Sequence, residues 1–176
     1  EDPARLVSEH DRLLLTELRG LFAAEKLLIA HDTVIVAAKT AYPDYLRTAS
    51  YVCQPGRSFR PGLRYLGFYS AGEIKPEIAR IEYHEDGVVF SQKEARRLAR
   101  SKRPVDRRIG GIMATLLGLG RRLEGGQFQL FVLYEPESAK TIRRDAPIPH
   151  PPGPDGAIRA WTQGQRYADS TRLRTA

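Results

Sequence analysis

Cysteine is almost absent: Cys53 is the only one among 176 residues. No internal disulfide can form, and zinc sites built on four cysteines, or on two cysteines with two histidines, are excluded. The four histidines (His10, His31, His84, His150) are scattered, and none pairs at i, i+4. No apolar run reaches the length of a membrane span, and no charged-then-apolar signal segment opens the chain. A cytoplasmic protein is the expectation. The chain opens on Glu1 rather than Met, as a piece of a larger polypeptide would, and a further domain is then expected to hold any activity. The patterns GxxxxGK[ST], GxSxG, HExxH and a GxGxxG after a strand are all missing. Gly118-Leu119-Gly120 is only a glycine pair at a helix end. No cofactor and no resident metal is expected.

What is abundant is positive charge. The net charge is +7, and the isoelectric point is about 9.7. Ten basic residues fall between Lys93 and Arg122, opposed only by Glu94 and Asp106, a net of +8 in that segment. A localised basic block attracts a polyanion by counterion release. A solvated helix face would look similar, but this segment is far more basic than its surroundings. Lys93, Arg96, Arg97, Arg100, Lys102, Arg103, Arg107 and Arg108 are therefore candidate phosphate ligands.

The length fits one domain, or one domain with a helical extension, and suffices for a real core. Leu6, Leu13, Leu14, Leu18, Leu21 and Phe22 fall near helical spacing and predict a helix over 3–25. Val34–Ala38, Tyr51–Gln54, Arg64–Tyr69, Ile78–Tyr83 and Gln127–Tyr134 read as strands. Tyr42-Pro43-Asp44 reads as a turn, and His84-Glu85-Asp86-Gly87 as a hairpin turn returning through Val88–Ser91. A basic helix is expected over 92–102. A second is expected from Pro104, with the stripe Ile109, Ile112, Met113, Leu116, Leu117 and Leu123, ending at Gly125-Gly126. Residues 147–154 are too proline-rich for regular structure. Ala157–Thr162 is a candidate last strand, and a short helix is expected from Asp169.

Aromatic residues and arginines interleave in mid-chain: Tyr51, Arg57, Phe59, Arg60, Arg64, Tyr65, Phe68 and Tyr69. Such mixtures form stacking faces and phosphate clamps, although one face of any strand carrying them must be core. Arg57-Ser58-Phe59-Arg60 lies between two Pro-Gly turns, so Phe59 is either presented by a stiff loop or plugs the core. Near the C-terminus, Trp161, Gln165 and Arg166 add a ring, an amide and a cation suited to reading a base; Trp161 in the core is the plainer alternative. Pro43-Asp44 followed by Glu73-Ile74-Lys75 spells a PD…ExK metal-nuclease pattern, in which Asp44 and Glu73 would hold Mg²⁺ and Lys75 would position water. Such short patterns arise often by chance, and Gly72 and Pro76 flanking them read as a turn. Cys53 reads as a small buried apolar residue.

The stretch RYLGFYSAGEIKPEIARIEY resembles the PUA-like superfamily, in particular its EVE and ASCH-type members, in which an aromatic-bearing barrel strand precedes an aliphatic one. Here these are Arg64–Tyr69 and Ile74–Ile81. The resemblance implies an α+β fold, a small open or pseudo-closed β-barrel over residues 28–176. Helices surround it, with a helical extension over 1–27 and a basic helical insertion over 92–123. It implies binding of RNA or modified DNA with a flipped base in an aromatic pocket, in bacterial versions often beside a restriction nuclease. Tyr51, Gln54, Arg57, Phe59, Tyr69, Trp161, Gln165 and Arg166 are the expected pocket and rim. The expected partner is DNA or RNA, together with other domains of a larger polypeptide, and no membrane. The alternatives are the Mg²⁺ nuclease and a protein-interaction module docking through the N-terminal helix.

Overall fold

The computed structural model describes residues 8–24, 31–152, 155–156 and 164–175. The expected strand at 157–162, and Trp161 with it, lies outside the described residues. The chain divides into two compact units, Glu1–Ala30 and His31–Ala176. In the first, α1 (Glu9–Ala24) is capped by Ser8. The Ser8 hydroxyl accepts from the Asp11 amide at 3.1 Å, and the Asp11 carboxylate accepts from the Ser8 amide. These bonds satisfy amides that a helix start otherwise leaves unpaired. Leu13, Leu14, Leu15 and Leu18 are exposed.

The second unit is α+β. Its elements run β1 (Thr33–Ala37), α2 (Ala41–Thr48), β2 (Ser50–Cys53), β3 (Tyr65–Ser70), β4 (Glu73–Val89), α3 (Gln92–Ala99), α4 (Pro104–Gly118), β5 (Gln127–Leu133), β6 (Ile142–Arg143), β7 (Ile148–Pro149), β8 (Gln165–Ala168) and α5 (Ser170–Thr175). The strands form one mixed sheet in the order β2-β5-β4-β3-β1-β8, with β6 and β7 also on β4. Among the described residues, only β1 and β3 pair in parallel. The sheet is open, ending on β2 and β8.

Strand alternation divides the core between two faces. On one face, Val34, Val36, Leu66, Phe68, Phe131 and Leu133 pack with Tyr45 of α2. On the other, Leu130, Val132 and Val52 pack under Leu98 of α3 and Ile109, Ile112 and Met113 of α4. Beyond them Ile35, Tyr65, Tyr69 and Ile78 meet Ile142 and Leu173.

Four local expectations are corrected. Tyr42-Pro43-Asp44 is the first turn of α2 rather than a loop; proline there costs no helical hydrogen bond, because first-turn amides have no partner in any case. The segment His84–Gly87 is not a hairpin turn but lies inside the 17-residue β4. Asp86-Gly87 forms a bulge there: β5 pairs on both sides, Glu85 with Leu130 and Val88 with Phe128. Gly87 takes a φ of 71° and the Asp86 carboxylate accepts its amide, so the Asp-Gly preference for positive φ is used without reversing the chain. The reversal falls instead at Ala71-Gly72, with φ of 57° and 80°. This leaves Glu73, Lys75 and Pro76 in the strand. Pro76, which has no N–H, sits between the stretches of β4 that pair with β7 and β6, where no ladder bond is required of it. Finally, the proline-rich 147–154 run does contribute β7.

Candidate nucleic-acid interface

The basic helix forms where expected. Ser91 caps α3 by accepting from the Glu94 amide at 3.0 Å. Ala95 and Leu98 are buried against α4. Helical spacing then turns Lys93, Arg96, Arg97 and Arg100 outward on one stripe, and all four are exposed.

The eight expected phosphate ligands do not behave alike. Arg97 pairs with Glu94, and Arg103 with Asp106. Arg107 donates to the carbonyls of Ser101 and Lys102. Arg108 is consumed internally, bonded to Glu82, to Glu135 and to the Leu133 carbonyl. Its role as a phosphate ligand is therefore corrected to that of a clamp between α4 and the strands. Lys93, Arg96, Arg100 and Lys102 are exposed and meet no carboxylate within 4 Å among the described residues.

The expected pocket residues divide as well. Tyr51, Arg57, Phe59 and Gln165 come together. Arg57 Nε donates to Gln165 Oε1 at 2.9 Å and Nη1 to the Tyr51 hydroxyl at 2.7 Å. Phe59 stands edge-on to Phe131, centroids 4.9 Å apart. Tyr51 is only 4% exposed, so it serves as a hydroxyl acceptor and core ring, not as a stacking face. Burial raises its pKa above the ordinary phenol value and keeps it neutral. Tyr69 is buried in the cluster with Ile142 and Leu173, edge-on to His150, and so does not join this group. Arg166 pairs in register with Ile35 while Gln165 pairs with Val36; alternation turns Arg166 to the opposite face from Gln165. Gln54 is exposed beside a groove of about 360 Å³ shared with Cys53, Arg121, Arg122 and Phe128.

The sequence places His84 in a hairpin turn and gives it no binding role. In the structure it is an exposed ring stacked on Phe131 at 4.1 Å and 18°. Buried Gln129 holds it: Gln129 Oε1 accepts from Cys53 Sγ, and the amide nitrogen lies 3.0 Å from His84 Nε2. That chain makes Nε2 an acceptor and leaves the proton on Nδ1. Burial also pushes the Cys53 thiol up to about 11, which makes it inert. Desolvation lowers the His84 pKa, partly offset by Asp86. The folded state therefore takes up its proton at lower pH than the unfolded chain does. Stability from neutral His84 is complete above about pH 6.5, the unfolded value, and is lost as pH falls toward the folded pKa. The urea midpoint of the wild type should fall between about pH 7 and 5 more than that of His84→Gln; equal slopes would count against the network.

The residues of the PD…ExK pattern are engaged in ion pairs. Asp44, 5% exposed, has Oδ1 3.0 Å from Arg121 Nε and Oδ2 3.9 Å from Arg122 Nη1. Lys75 Nζ instead binds Glu73 Oε1 at 2.6 Å on β4. Among the described residues, no three His, Cys, Asp or Glu side chains gather where they could hold a metal ion.

No family model, curated protein or solved structure matches this chain. Among the described residues no helix is long and apolar enough to cross a membrane.

Proposed function

We propose that this protein is a nucleic-acid-binding domain that engages the phosphate backbone through α3 and the corner leading into α4. The observation that carries the reading is the set Lys93, Arg96 and Arg100 on the outer stripe of α3, with Lys102 in the corner after it: all four are exposed and meet no carboxylate among the described residues, on a helix packed against α4. Paired surface cations gain little from a polyanion because they must first release a carboxylate; unpaired ones release only bound counterions. The resemblance of residues 64–81 to PUA-like domains supports the same function. Recognition of a modified or extruded base belongs to this proposal as its finer part, with Phe59 and His84 the rings available to it.

Charge reversal of all four residues to Glu is expected to weaken duplex binding by about 100-fold or more near physiological salt. It should also reduce the slope of log affinity against log salt by roughly 0.9 per lost contact. Neutralising Arg97 and Arg103 should do much less. Unchanged affinity and slope in the fourfold variant, measured by fluorescence anisotropy, would sink the proposal.

A further inference from the structure

Two further arginines, Arg57 and Arg60, lie on the other face of the sheet. On β5, Leu130 and Val132 face α3 and α4, whereas Phe131 faces the Tyr51 and Phe59 side. Here Arg57 is half-buried and held by two neutral acceptors, Gln165 Oε1 and the Tyr51 hydroxyl. No carboxylate lies within 4 Å of it among the described residues. A guanidinium has five N–H donors, of which these bonds use two. The remaining three, on Nη1 and Nη2, form the kind of fork that takes an oxyanion with two bonds. A charge drawn partly out of water without a counter-ion is costly, so the arrangement favours a bound anion.

The loop is organised in advance of any ligand. Gln165 Nε2 donates to the Ser58 carbonyl, and the Gly56 amide donates to Asp86. The Phe59 ring lies 5.4 Å from the Arg57 guanidinium carbon. Arg60, in the same loop, lies over Tyr167 at 4.4 Å and has no carboxylate within 4 Å among the described residues. The Tyr167 hydroxyl accepts the Arg60 amide. Loop ordering is thus already met in the free protein, and little is lost on binding.

We infer that Arg57, assisted by Arg60, is a phosphate-binding site distinct from the α3 stripe, and that it takes the phosphate of a nucleotide unit. The choice of a nucleotide rests on the function proposed above and on the exposed His84 ring, which shares Phe131 with Phe59. The phosphate is either the monoester of a free or terminal nucleotide or the diester of a single strand.

The test titrates adenosine 5′-monophosphate and, separately, a six-residue oligothymidylate lacking terminal phosphates into the full chain, read by NMR shifts of the 54–62 and 164–168 amides. The proteins are the wild type, the fourfold α3 variant, Arg57→Gln, Arg57→Lys and Arg60→Gln. Binding of either probe by both the wild type and the α3 variant, weakened at least about tenfold in Arg57→Gln and only partly restored by Lys, is expected. Binding of the monophosphate identifies a monoester source, and binding of the oligonucleotide alone a diester. Arg60→Gln alters an exposed side chain and guards against a loop that merely unfolds; it should weaken binding with the melting temperature unchanged. Absence of binding by the wild type, or full binding by Arg57→Gln, overturns the inference. Loss in the α3 variant alone would retain the proposed function and remove this second site.

Discussion

Gly110→Val is expected to lower the melting temperature of the His31–Ala176 unit by roughly 5–10 °C, or about 2–3 kcal/mol. A Cβ at Gly110 would lie 2.7 Å from the Ala95 carbonyl oxygen and 2.8 Å from the Ala99 amide nitrogen. Both are backbone atoms of α3, so no side-chain rotation relieves the clash and the helices must separate. Separation would open the packing of Leu98 on Ile109 and Met113 and tilt the cationic stripe off its support. The adjacent Gly111 has nothing within 4 Å of its virtual Cβ. Gly111→Ala should therefore gain up to about 1 kcal/mol from helix propensity alone. Opposite shifts in scanning calorimetry would establish the close crossing; equal shifts would show that α3 and α4 tolerate a wider one.

Asp44→Ala is expected to destabilise the same unit by about 2–3 kcal/mol. The carboxylate faces Arg121 and Arg122, the latter only 18% exposed. Arg122 also donates to the Val52 carbonyl and packs against the Phe128 ring, so it cannot swing to water without giving up those contacts. Removing Asp44 leaves that desolvated cation uncompensated, and the magnitude sits below the usual range for a buried pair because Arg121 is 38% exposed. Asp44→Asn keeps an acceptor for Arg121 and should cost about 1 kcal/mol. A nuclease ligand would behave otherwise: its loss would abolish cleavage and relieve charge repulsion without unfolding the domain. Chemical denaturation, with a cleavage assay in Mg²⁺, separates the two, and an Asp44→Ala protein of unchanged stability would refute the clamp.

Element types read along the chain largely because local chemistry is strong there. The Ser91 cap and the i, i+3, i+4 basic spacing mark α3 without any tertiary help. QFQLFVL alternates over a length that only a strand explains, and it became β5. The structure departs from the sequence expectation where the local signal is ambiguous. Pro43 suits a turn and a first helical turn equally, and the buried Tyr45 ring stacked on Phe68 at 4.7 Å decides for the helix. Asp86-Gly87 suits a hairpin and a bulge equally, and the partner strand running past it decides for the bulge.

The sequence by itself determined the charge, the location of the basic block, the α+β character and the exclusion of disulfides and cysteine-based zinc sites, because these depend on composition and short-range spacing. It also pointed to Arg57, Phe59, Tyr51 and Gln165, which the fold does gather. Only the tertiary structure decided which arginines remain available. Arg108 and Arg122 are spent on carbonyls and carboxylates contributed from distant parts of the chain, while the partners of Arg57 among the described residues are neutral. Strand register likewise placed Tyr69 and Arg166 away from the cluster and His84 on it. Pairing with a strand some 47 residues away sets which face a side chain occupies, and a one-residue slip reverses it.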